Sequence, residues 1–216
     1  MINKINSLIF KPLISLLLLF LCASATANQL PQSKLTEANN LLKNGGYNQC
    51  IEICDKILKE DDNFVEVYRT KGNCLLLLKK YQEALRTYNI AIRLKPNFAE
   101  IYVAKGFIFG ELKKYQEAID AYNMALKYRP DYPEAYLNKG SALSELKKYQ
   151  EAIDAYNMAL KYRPDYPEAL YNKALLLSNV GRLKEAGEVY AQLWDEKTMR
   201  EYKKEMEQLE KIRSKK

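Results

Sequence analysis

A 34-residue echo runs through this chain and limits what it can become. Glu111 to Ala135 returns letter for letter as Glu145 to Ala169. The frame also reaches outward. Lys79-Lys80-Tyr81-Gln82-Glu83-Ala84 recurs as Lys113-Lys114-Tyr115-Gln116-Glu117-Ala118 and as Lys147-Lys148-Tyr149-Gln150-Glu151-Ala152, then decays to Arg182-Leu183-Lys184-Glu185-Ala186. Pro96, Pro130 and Pro164 keep the same beat. Chance does not hold phase over so many periods. A repeat of this length marks a stack of small units, none of which can bury its apolar face alone.

Each period divides into two helical stretches. In the copy from Pro133 to Tyr166, Tyr136, Gly140 and Leu143 stand at i, i+4 and i+7, one face of a first helix. A short Leu-Lys-Lys segment turns the chain. Tyr149, Ala152, Tyr156 and Ala159 then follow on one face of a second helix. Pro164 ends it, because proline lacks the amide donor and disfavours helix just before itself. Asp165 or a neighbour is expected to cap the next helix, with Pro167 in its first turn. Gly140 and Ala152 are small where two backbones must approach, and Tyr149 and Tyr156 are expected to fill the space they leave. That alternation accounts for 17 tyrosines beside a single tryptophan.

Histidine is absent, which removes the commonest general base and the commonest metal ligand together. No glycine-rich phosphate loop appears; Gly45-Gly46 sits at the turn of the first hairpin. Acid pairs fall on helix faces that read as solvated. The chain therefore offers no catalytic constellation, no metal site and no cofactor site, and is read as a non-enzyme.

The N-terminus reads as a secretory leader. Lys4 and Lys11 precede an apolar run from Pro12 to Leu21, and Ala25-Thr26-Ala27 has the form of a cleavage site. Cutting after Ala27 makes the protein exported, either periplasmic or secreted, with no stable membrane span, since the run is shorter than the roughly 20 residues a span needs. It removes two lysines and lowers the formal charge from +7 to +5. That mild excess is spread among acids, so nucleic-acid binding is not expected.

The pattern resembles the tetratricopeptide repeat. Tyr68-Gly72, Tyr102-Gly106 and Tyr136-Gly140 match the signature of its first helix. Tyr81-Ala84-Tyr88-Ala91, Tyr115-Ala118-Tyr122-Ala125 and Tyr149-Ala152-Tyr156-Ala159 match its second. The resemblance implies an all-α fold, a right-handed superhelical α-solenoid of tandem helix-turn-helix hairpins. Five repeats are readable: 31–64 (degenerate), 65–98, 99–132, 133–166 and 167–200 (divergent). In the first, Lys34 replaces an aromatic and Cys50, Cys54 and Ile57 replace Ala, Tyr and Ala. In the fifth, Leu183 replaces tyrosine and Thr198 replaces proline. Met199, Tyr202, Met206 and Leu209 give residues 201–216 an apolar stripe, read as a C-terminal capping helix that starts near 198.

By the same resemblance, first-helix residues line a concave groove that takes a protein or peptide partner and no small-molecule substrate. The family frame puts Arg69, Asn73, Val103, Phe107, Leu137, Asn138, Ser141, Tyr171, Asn172 and Leu175 on or beside that wall. The asparagines suit a peptide backbone, and Phe107 and Tyr171 suit apolar side chains. The carboxylate-gripping variant of the family is not reproduced, because Ala104 and Glu134 interrupt its Lys/Asn pattern. Lys71, Lys105, Lys139 and Lys173 recur one residue before the small position. Packed stems with wet ammonium groups are favoured there over a ladder for an acidic ligand, with Glu66, Glu100, Glu134 and Glu168 available to neutralise it. Cys50, Cys54 and Cys74 occupy core positions; buried free thiols are favoured, and export also permits a disulfide between adjacent hairpins. The expected function is an exported, non-catalytic scaffold. The rival is a self-assembling structural or accessory subunit of an envelope complex.

Overall fold

The computed structural model describes residues 32–193. The expected leader over 1–27 and capping helix over 201–216 lie outside those residues, as do the outer edges of the first and fifth repeats. Among the described residues the regular elements are all helices: α1 (32–43), α2 (Tyr47–Glu60), α3 (Val65–Leu77), α4 (Tyr81–Leu94), α5 (Ala99–Glu111), α6 (Tyr115–Tyr128), α7 (Pro133–Glu145), α8 (Tyr149–Tyr162), α9 (Pro167–Asn179) and α10 (Leu183–Tyr190). They form two compact units divided between Leu94 and Lys95. The first unit holds α1 to α4 and the second α5 to α10. Each unit is a stack of helical hairpins, the α-solenoid arrangement that the period implies.

The turns explain the Leu-Lys-Lys segments. Lys79, Lys113 and Lys147 adopt left-handed backbone at φ 57, 58 and 60°, and Gly45 and Gly181 do so at 82°. Each sits just past a first helix. The Lys79 amide donates to the carbonyl of Leu76 at 2.9 Å, and Lys80 to Leu75 at 2.8 Å. Lys113 with Lys114 and Lys147 with Lys148 repeat the pair, as does Gly181 with Arg182. These are Schellman closures, which satisfy the orphan carbonyls of the helix end and reverse the chain. Glycine enters the left-handed region without steric cost, whereas each lysine works against its own Cβ.

Hairpins close on a ring set across a bare backbone. Tyr88, Tyr122 and Tyr156 come from the middle of α4, α6 and α8 and are 0, 3 and 3% exposed. Their rings lie against Gly72, Gly106 and Gly140 in the paired helix. A Cβ built on Gly106 would stand 2.5 Å from a ring carbon of Tyr122, and one on Gly140 2.6 Å from Tyr156. Only glycine permits that approach. Tyr149 does not share the task as expected, being 40% exposed at the start of α8. The outer hairpins vary the pair. Ala38 and Cys54 take the two positions in the first, and Ala174 and Tyr190 in the last, where the Tyr190 ring meets Tyr171 edge-on at 6.4 Å.

A second seam ties the start of each first helix to the end of its partner. Tyr102 stacks on Tyr128 at 5.7 Å and Tyr136 on Tyr162 at 5.8 Å. Arg129 pairs with Glu100 at 3.1 Å, and Arg163 pairs with Glu134. The same guanidinium groups lie over the rings of Tyr132 and Tyr166, at 4.2 and 4.4 Å. Those two tyrosines are the N-caps of α7 and α9. The cap of α9 is Tyr166, the neighbour of Asp165, with no side-chain capping bond and with Pro167 at the first helical position as expected. Pro164 acts as expected on its predecessor. Arg163 is extended at φ −140°, ψ 89°, which stops α8. Asp61 takes nearly the same conformation after α2 with no proline behind it.

The two helical glycines of α5 offer a direct comparison. Gly110 has open space where its Cβ would go. Gly110→Ala should raise stability by about 0.5–1 kcal/mol through helix propensity. Gly106→Ala should lower it by about 1–2 kcal/mol, because overpacking against Tyr122 outweighs the same gain. Urea unfolding of the two variants measures both signs.

Burial also holds the phenols of Tyr88, Tyr122 and Tyr156 above their ordinary value near 10. The folded state thus keeps protons that the unfolded chain gives up. Their contribution to stability is intact below about pH 10 and is lost as pH rises beyond it. The urea midpoint should be unchanged by these groups up to about pH 9 and fall above about 10. Tyr122→Phe should make that fall shallower.

Candidate functional site

In the second unit the first helices stand side by side, α5 against α7 and α7 against α9. Residues four apart share a helix face. One face of α5 carries Val103, Phe107 and Glu111. The matching face of α7 carries Leu137, Ser141 and Glu145, and that of α9 carries Tyr171, Leu175 and Asn179. Three clefts open along these faces. One, of about 260 Å³, is lined by Phe107, Gly110, Glu111, Tyr115, Tyr122, Asn138, Ser141, Ala142 and Glu145. A second, of about 520 Å³, is lined by Leu137, Asn138, Ser141, Pro167, Glu168, Tyr171, Asn172 and Leu193. A third, of about 200 Å³, is lined by Ser141, Ser144, Glu145, Tyr156, Asn172, Leu175, Leu176 and Asn179. Ser141 borders all three, so they are compartments of one groove.

The residues expected on the wall divide by burial. Phe107, Tyr171 and Leu175 are 45, 49 and 41% exposed, large apolar groups left facing solvent. Asn138 and Asn172 are half-buried on the groove walls. Leu137 belongs to the core yet shows an edge to the largest cleft. Val103 packs against the core and lines none of the three clefts. Ser141 donates to the Leu137 carbonyl at 3.2 Å and lies 3.3 Å from the Tyr156 hydroxyl. Arg69 and Asn73 sit on α3 in the first unit. The Asn73 carbonyl oxygen accepts from the Tyr88 hydroxyl at 2.6 Å, so it supports the framework ring.

Acidic groove residues escaped the sequence reading. Glu111 and Glu145 fall four residues after Phe107 and Ser141, and Glu168 opens α9 beside Pro167. The i+4 spacing was a usable signal. Acids on a helix are ordinarily solvated, which masks that signal. In a chain of formal charge +7, the charged side chains that line these three clefts among the described residues are carboxylates. Desolvation and a hydrogen bond to Glu145 raise the Tyr115 phenol. Burial, then the Glu111 charge, raise that of Tyr122.

The recurring lysines are not on this wall. Lys71 reaches Asp55 on α2 at 2.5 Å. Lys139 shares a separate cleft with Glu151 and Asp154 of α8. Burial lowers the Lys173 pKa, opposed by Glu185 of α10, and burial lowers that of Lys105. The acids that face Lys71, Lys139 and Lys173 come from second helices. The carboxylates of Glu100 and Glu134 pair with Arg129 and Arg163. Among the described residues no cluster of cysteine and acidic side chains could hold a metal ion.

Comparison with known proteins agrees with this architecture. Models described as tetratricopeptide repeat match residues 65–98, 133–166 and 155–188, and one described as TPR repeat matches 108–147. No curated protein matches the chain in sequence. Solved structures match it in fold. MamA from Desulfovibrio magneticus RS-1 is 18% identical with a TM-score of 0.68, over 76% of this chain and 92% of that one. PilW, titled a widely conserved type IV pilus biogenesis factor, is 24% identical with a TM-score of 0.69, over 76% of each chain. Pseudomonas aeruginosa PilF is 17% identical with a TM-score of 0.70, over 78% of each.

Proposed function

The chain belongs to the tetratricopeptide repeat family, and from that premise we propose that it is an exported, non-catalytic scaffold that holds a protein or peptide segment in the groove of α5, α7 and α9. One observation carries this reading. The framework pair Gly106–Tyr122 recurs as Gly140–Tyr156, while wall residues at matching places differ: Val103, Leu137 and Tyr171 in one row, Phe107, Ser141 and Leu175 in the next. A surface that varies on a recurring frame is where specificity can be written. Exposed Phe107, Tyr171 and Leu175 offer apolar anchors, and Asn138 and Asn172 offer amide donors and acceptors to a backbone.

The lining also narrows the partner. Glu111 and Glu145 flank a cleft walled by Phe107, Tyr115 and Tyr122, a setting for a lysine or arginine side chain through charge and aromatic faces together. The neighbouring cleft of Leu137, Pro167, Tyr171 and Leu193 suits an apolar side chain. First helices pack about 8–10 Å apart and an extended segment advances about 3.3 Å per residue, so the two side chains would stand roughly three residues apart. The same carboxylates oppose a nucleic-acid backbone. The leader ending at Ala27 supports a periplasmic or secreted location. Among the described residues no helix is long and apolar enough to cross a membrane.

Affinity purification from the exported fraction tests the reading. Mature protein should begin at Asn28 and retain a partner. Phe107→Ala with Tyr171→Ala should weaken that partner by roughly 10–100-fold, as expected for two anchor side chains. Glu111→Gln with Glu145→Gln should weaken it too and flatten its salt dependence. Retention of every partner by the first double variant would remove the groove assignment. Self-association by light scattering without any retained partner would favour the self-assembling subunit.

A further inference from the structure

Three cysteines that depart from the frame lie on neighbouring helices. α2 carries Cys50 and Cys54 where later periods have alanine and tyrosine, and α3 carries Cys74 where they have Ile108, Ala142 and Leu176. The three residues are free thiols, fully buried in the core of the first unit. The Sγ atoms of Cys50 and Cys74 lie 2.7 Å apart. That is within about 0.7 Å of a disulfide bond length of about 2.05 Å. They belong to successive hairpins, so a bond between them would clamp α2 to α3. Cys54 supplies no buried ring of the kind that Tyr88 supplies one repeat later, so this hairpin has less apolar packing of its own.

We propose that Cys50 and Cys74 form a disulfide in the exported protein, a covalent staple between the first two hairpins. The inference rests on the export part of the proposed function for its oxidant, a protein or glutathione disulfide of an oxidising compartment. One thiolate attacks that disulfide, and the second thiol displaces the reduced carrier from the mixed disulfide. Two S–H bonds are lost and one S–S bond forms. Two electrons and two protons pass to the oxidant, which leaves as two thiols.

Burial decides the character of the bond. Desolvation first, then contact with Cys50, raises the Cys74 thiol well above its ordinary value, and desolvation does the same for Cys54. Few thiolates exist once the helices have closed, so exchange in the folded state is slow. Oxidation therefore accompanies docking of α2 on α3, after which the bond is shielded from reductants. This makes it a structural staple and not a redox switch. Cys54 stays a thiol, and a cysteine-based metal site is not the alternative, since no such cluster occurs among the described residues.

The test is peptide mapping of full protein isolated from the exported fraction, alkylated in denaturant without reductant and cut with trypsin. Peptides 44–56 and 72–79 should appear linked, with fragmentation placing the bond on Cys50 and the alkyl group on Cys54. Cys50→Ala and Cys74→Ala should each abolish the link. Both place alanine where other repeats already carry it, at Ala84 and Ala142, so folding is preserved. Cys54→Ala should keep it. Protein unfolded in dithiothreitol and refolded in it should melt roughly 5–10 °C lower than the oxidised form. An exported protein with all three cysteines alkylated, or a link through Cys54, overturns the proposal. A protein found only in the cytosol overturns the export reading instead. Refolding that protein in glutathione disulfide then decides the pairing, and no Cys50–Cys74 link there overturns it as well.

Discussion

The three middle hairpins depend on a tyrosine ring packed against a glycine. Tyr122 on Gly106 and Tyr156 on Gly140 let two helix backbones approach with a large apolar side chain held between them. The ring supplies buried area, the glycine supplies room, and neither is useful without the other. Once that distance is set, the remaining contacts of the repeat follow from it. Position-matched alanines such as Ala118 and Ala152 meet the facing helix, and the stacked pairs Tyr102–Tyr128 and Tyr136–Tyr162 close the far end.

Fixing the framework so firmly frees the opposite face. A first helix in the middle of the stack is buried along much of its surface, leaving a narrow strip of residues that pack against little. Phe107, Tyr171 and Leu175 lie on that strip and can change without disturbing the hairpin. Asn73 and Ser141 hold the repeat position that Phe107 holds in its own repeat, and each meets the hydroxyl of its repeat's framework tyrosine. Charge follows the same division. Lysines on the framework side meet acids of the second helices, and the groove keeps its own carboxylates.

Where the sequence reading went astray, the cause was a local rule applied to a position governed by tertiary contact. Tyr149 shares the repeat with Tyr156, yet it begins α8 and faces outward, so only one of the two fills the gap. Glu111 and Glu145 are exposed acids, as expected, and they border a cleft only because α5 and α7 stand beside each other. The wall positions Phe107 and Tyr171 were legible because they differ between copies of an otherwise constant frame, while Val103 looked equivalent and packs inward.

The period alone determined a great deal: helical hairpins, their length, their turns and their closing glycines. It could do so because each of these depends on residues within one or two repeats, and the period repeats them. The convergence of Cys50 with Cys74 was decided only in three dimensions. So was the joining of three clefts around Ser141. Each depends on how one helix is rotated against another, and no spacing along a single helix carries that rotation.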